Sequence, residues 1–145
     1  VMVGAALSAP VVLPESVLTM VHTPRIDTPG ELAGPRWRRE RVSAASYALG
    51  WRVFEYAGHP LVFHAGAVQG YRAMVGLLPD QGFGVAILWN SNSGVPGGLF
   101  PRVLDRQLEL GGPDWLDLRQ LQLASQRKAP GRANARPVAR LIKAG

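Results

Sequence analysis

The chain has 145 residues, 47% of them apolar, with a formal net charge of +6, which is the size and balance of about one globular domain rather than of a two-lobed enzyme. There is no cysteine, so disulfides, thiolate metal sites and cysteine nucleophiles are excluded, and no run approaches the roughly eighteen apolar residues that a membrane-spanning helix needs. All ten acids precede residue 118, whereas Arg127, Lys128, Arg132, Arg136, Arg140 and Lys143 form a cationic tail with no acid among them.

In chain order, Val1 to Leu7 is apolar and helix-compatible, bounded by Pro10. The opening VMVG looks like the middle of a helix, so the chain is expected to be the C-terminal fragment of a longer protein. Val17, Leu18, Val21 and His22 have helical spacing, with Pro14 at a first-turn position, and predict a short helix ending before Pro24. Residues 23 to 45 hold Pro24, Pro29, Pro35, Gly30, Gly34 and the cluster Arg36, Arg38, Arg39 and Arg41 without a sustained period. They read as a loop with a solvated arginine surface partnered by acids such as Glu40.

Tyr47 to Tyr56 alternates, with Trp51, Val53 and Glu55 on one face and Arg52, Phe54 and Tyr56 on the other, and predicts a strand. Gly58, His59 and Pro60 make a turn into a second strand, LVFHAG. Arg72 to Leu78 is a third, Pro79 to Gly82 a turn, and Phe83 to Trp89 a fourth whose near-continuous apolarity suggests an interior position. Asn90 to Gly98 has loop chemistry. Leu99, Val103, Leu104, Leu108 and Leu110 then predict an amphipathic helix stopping near Gly111. The expected organisation is a folded portion over residues 1–112, an amphipathic extension over 113–126, and a basic, disordered tail over 127–145.

The stretch FHAGAVQGY, Phe63 to Tyr71, carries the candidate chemistry. His64 followed at two residues by Gly66 suits a strand end whose backbone must stay open to something approaching closely. His22 and His59 have no partner at metal-ligand spacing, so neither a metal nor another cofactor is expected.

The order of these pieces resembles the C-terminal part of the serine β-lactamase and penicillin-binding-protein-like hydrolases, in the branch containing class C β-lactamases, esterases and D-aminopeptidases. The pieces that carry the likeness are YALGW, His64-Ala65-Gly66, a glycine and aromatic at Gly70 and Tyr71, a Pro79-Asp80 turn, a strand ending at Asn90, and a helix. The resemblance implies an α+β fold: an antiparallel sheet of about four strands in a meander with flanking helices, part of an αβα sandwich. It also implies acyl transfer to a serine supplied by a Ser-x-x-Lys motif, with a Tyr-x-Asn motif and a Lys-Thr-Gly strand beside the pocket.

Only the third motif has its counterpart here, at His64, Ala65 and Gly66. No Ser-x-x-Lys is expected at Ser8, Ser16, Ser43, Ser46, Ser91, Ser93 or Ser125, and no Tyr-x-Asn is found. The nucleophile is therefore expected outside this chain, in a missing N-terminal part of the same protein, and the chain alone is expected to be inactive. By resemblance His64 and Ala67 are the catalytic positions: His64 orients or polarises, and the Ala67 N–H donates to the oxyanion. His64, Ala65, Gly66 and Ala67 together would line the binding strand for a small-molecule or peptide-like acyl substrate.

Histidine in place of lysine gives a titratable imidazole instead of a permanent cation, and Ala65 lacks a hydroxyl for a substrate carboxylate. Both changes fit an esterase or amidase better than a penicillin-like anionic substrate. The resemblance suggests a periplasmic or secreted location. The alternative is a non-catalytic binding module whose basic tail contacts nucleic acid or an anionic surface; the lack of aromatics between the tail's charges argues against nucleic acid.

Overall fold

The computed structural model describes residues 13–117. The expected helix at Val1 to Leu7, most of the amphipathic extension and the whole basic tail lie outside the described residues.

Six strands form one antiparallel sheet in the order β1-β2-β3-β4-β5-β6: Ile26–Asp27, Val42–Tyr47, Arg52–Tyr56, His59–Val68, Tyr71–Leu78 and Phe83–Trp89. With helices α1 (Glu15–His22), α2 (Arg36–Arg41) and α3 (Leu99–Gln107), this is an α+β fold. The strand alternation read from the sequence is realised in the middle of the sheet. Phe54, Tyr56, Leu61, Phe63 and Leu78 are almost completely buried, and α3 covers them with Phe100 and Leu104. Two-residue turns make the tight connections: Ala57–Gly58 closes β3 on β4 and Gln69–Gly70 closes β4 on β5. Ala57 and Gly58 both have positive φ, at 50° and 84°, as a turn whose twist matches the flanking strands requires.

The centre of the core is Phe63. Its ring meets Phe54 edge-on at 4.8 Å and Phe100 at 5.7 Å. Gly76 pairs with Phe63 across β4 and β5, and a Cβ there would stand 2.5 Å from two atoms of the Phe100 ring. Gly76→Ala is therefore expected to destabilise the fold by about 1–3 kcal/mol through overpacking, read as a drop in urea midpoint with unchanged slope.

Four sequence expectations change. The expected loop over residues 23–45 contains β1, α2 and the first residues of β2. These elements are too short to show a period, and α2 is held by tertiary contacts of Trp37 with Tyr56, Phe63 and Phe100. Nor is the whole arginine cluster solvated. Arg36 pairs with Glu40 at the surface, but Arg38 pairs with Glu31 while its guanidinium stands 5.2–5.8 Å from the Phe54, Trp37 and Phe63 ring centres.

The single strand expected from Tyr47 to Tyr56 is broken by a turn at Ala48 to Trp51, where the Ala48 N–H donates to the Trp51 carbonyl at 2.8 Å. The sheet therefore gains strands before the expected four. Among the described residues β6 is an edge strand rather than an interior one, with Val85 and Ile87 buried and Leu88 75% exposed between them and Trp89. Its apolar run reflects an outer face that the described residues leave open.

Behind the core, the buried Asp105 joins three parts of the chain. It accepts from the Tyr56 hydroxyl, from Trp115 Nε1 at 2.7 Å and from Arg41 at 3.0 Å. Burial, reinforced by the hydrogen bond and charge of Asp105, pushes the Tyr56 phenol well above its ordinary range. A phenol that holds its proton more tightly when folded stabilises fully below its unfolded pKa, about 10, and loses that contribution as pH rises above it. Unfolding midpoints are expected to fall more steeply above about pH 10 in the wild type than in Tyr56→Phe, which lacks the titrating group.

Candidate active site

The backbone of β4 is oriented by the turns at its two ends. Because Tyr56 and His59 close the Ala57–Gly58 hairpin, the odd-numbered residues of β4 direct their N–H and C=O groups toward β3. Because Val68 and Tyr71 close the Gln69–Gly70 hairpin, the even-numbered residues direct theirs toward β5. The two turns give the same assignment.

β3 begins at Arg52, opposite Phe63, while β4 continues to Val68. Beyond Phe63, therefore, no strand among the described residues lies along the β3-facing side of β4. Ala65 and Ala67 present their backbone groups to this open margin, and Ala65, Gly66 and Ala67 are all exposed. A Cβ placed on Gly66 would meet nothing within 4 Å, so a visitor can come close to the strand there.

The four candidate residues do not share one hollow. Ala65, Gly66 and Ala67 line a hollow of about 380 Å³ with Trp37, Arg72, Trp89 and Trp115 among its walls. His64 lies on the opposite face of the strand, where it lines a hollow of about 310 Å³ with Gly66, Val75, Ala86 and Leu88. Gly66 borders both. The open margin runs along the edge of β4 between these two faces.

Two contributors escaped the sequence reading. Arg72 pairs with Ala67 and lines the larger hollow, with its Nε buried and without a hydrogen-bond partner among the described residues. Its position follows from the Gln69–Gly70 turn once the strand is known to run to Val68, but the sequence showed the strand only as far as Gly66. Tyr47, read from the sequence only as the first residue of a strand, holds its hydroxyl 3.2 Å from His64 Nε2, with the rings edge-on at 6.4 Å.

The other histidines serve elsewhere. His22 packs edge-on against Trp51 at 5.5 Å, and burial lowers its pKa from the ordinary value. His59 Nδ1 lies 2.6 Å from Asp80 at the far end of the β3–β4 hairpin. No group of three or more His, Cys, Asp or Glu residues that could hold a metal occurs among the described residues. No helix among them is long and apolar enough to cross a membrane.

One motif expectation is corrected by the sequence itself. Ser125 and Lys128 stand at Ser-x-x-Lys spacing, so the spacing is not absent from the chain. The pair lies outside the described residues and follows the His-x-Gly strand, the reverse of the expected order.

A family model described as Beta-lactamase matches residues 21–109. Among solved structures, the chain is similar to the octameric penicillin-binding protein homologue from Pyrococcus abyssi, with a TM-score of 0.58 and 24% identity over 69% of this chain. The match spans 21% of that protein's chain. No curated protein matches.

Proposed function

Since the chain belongs to the Beta-lactamase family, we propose that it is the C-terminal portion of a serine hydrolase that acts by acyl transfer on an ester, amide or β-lactam. The observation that carries this reading is the margin of β4 at Ala65 and Ala67, along which no strand among the described residues pairs. A substrate lying along it would pair with the strand as a further extended segment. When a serine hydroxyl attacks the acyl carbon, the carbonyl oxygen gathers negative charge; the Ala67 N–H would donate to it together with the N–H of the serine. Collapse of that intermediate expels the leaving group, and water then releases the acyl group from the serine. Gly66 leaves the approach unobstructed, and His64 polarises the site from the other face.

The serine and its base come, in this reading, from a Ser-x-x-Lys segment of a longer polypeptide. Half an oxyanion hole without an activated nucleophile should not turn over substrate. The purified 145 residues, assayed with nitrocefin and p-nitrophenyl acetate beside Ser125→Ala, are expected to show no burst and no serine-dependent hydrolysis. Joined to a segment carrying Ser-x-x-Lys, they should acquire it. A burst that disappears in Ser125→Ala would overturn the reading, because the nucleophile would then lie in this chain.

A further inference from the structure

Tyr47 belongs to β2 and His64 to β4, two strands that are not neighbours in the sheet. They meet because β3, which separates them, starts only at Arg52, and the phenol reaches across the gap this leaves. The Tyr47 backbone is fixed by pairing with Ile26 on one side and Arg52 on the other. The arm is therefore anchored at its base, and its tip meets the imidazole at Nε2.

We infer that Tyr47 is the positioning residue of His64: its hydroxyl donates to Nε2, which places the neutral ring's proton on Nδ1 and fixes the ring plane beside the open margin. The contact fits either direction, since a phenol oxygen can also accept from an imidazole N–H; the inferred direction rests on the acceptor available to the phenol's proton. A neutral phenol has one proton to give, and Nε2 is the acceptor that the described residues offer it. The guanidinium of Arg52 stands 5.9 Å over the Tyr47 ring and is itself 3.5 Å from Glu31. When the ring is neutral, the position that carries a permanent charge in a lysine-bearing site presents an oriented dipole. This inference rests on the hydrolase reading for its purpose, but not for its geometry.

The test is made on this chain, without turnover. Long-range nitrogen–proton correlation spectra of the histidine-labelled protein at neutral pH are expected to show His64 in the Nδ1–H form. Tyr47→Phe should move His64 toward the Nε2–H form while the signals of His22 and His59 and the backbone amide spectrum stay in place. A wild-type His64 in the Nε2–H form would overturn the assignment whatever the variant does, and so would a His64 spectrum unchanged by Tyr47→Phe. Failure to gain hydrolysis on joining a Ser-x-x-Lys segment would instead remove the hydrolase reading and leave the tautomer result standing.

Discussion

Asp105→Ala is expected to lower the free energy of unfolding by about 3–5 kcal/mol, because it removes one partner of a buried ion pair and leaves the other charged. The side chain is 6% exposed as a residue and receives hydrogen bonds from Tyr56 on β3, Arg41 at the end of α2 and Trp115 beyond α3. Alanine would leave a guanidinium, a phenol and an indole N–H short of an acceptor. Arg41 would keep its bond to the Gly111 carbonyl at 2.6 Å, which satisfies a donor but does not balance the charge. Asp105→Asn retains a carbonyl oxygen and should lose less, about 1–3 kcal/mol. Urea unfolding of both variants, with a cycle through Tyr56→Phe, measures the effect. Contacting groups should lose less together than the sum of the separate losses. A loss under about 1 kcal/mol for Asp105→Ala would mean that the network does not bear on the fold. The site would feel the change too, since Trp115 lines the hollow beside Ala67.

None of those partners could be paired from the sequence, and the reason is separation. Tyr56, Arg41 and Trp115 lie 49, 64 and 10 positions from Asp105, and no local period connects such residues. Where local chemistry suffices, the chain is legible. Phe83 to Trp89 forms a strand with the expected bounds, and Arg72 to Leu78 gains only Tyr71, because alternating apolar residues between turn formers leave little choice. The β2–β3 turn was hidden because Tyr47 and Trp51, on either side of it, are both good strand residues; Gly50, with φ of 83°, was its one strong signal. Helix α2 was hidden because its residues Arg36–Arg41 carry a single apolar anchor, Trp37, whose partners lie on β3, β4 and α3.

The candidate site divides in the same way. His64 to Ala67 could be found as a strand end open to approach, but the opening itself depends on where a different strand begins, at Arg52. The contribution of Tyr47 depends on the same gap.

The orientation of that strand makes a sharp contrast between adjacent residues. Proline removes a backbone N–H, so its cost depends on where that N–H was directed. Gly66 pairs with Ala73 and directs its amide into the β4–β5 ladder; Gly66→Pro should lose about 1–3 kcal/mol of stability by breaking a bond and stranding an acceptor. Ala67 directs its amide to the open margin, and the residue before it is extended, which proline tolerates. Ala67→Pro should therefore stay within about 1 kcal/mol of the wild type in urea unfolding. Under the proposed function, Ala67→Pro in the chain joined to a Ser-x-x-Lys segment should cost catalysis far more than stability. Losing an oxyanion donor should lower kcat by about 100- to 1000-fold, while Ala67→Gly, which keeps the N–H, should retain most of it. If Ala67→Pro destabilises the 145-residue chain as much as Gly66→Pro does, the Ala67 amide already has a partner within the fold. The margin would then be closed, and the oxyanion contact would have nowhere to form.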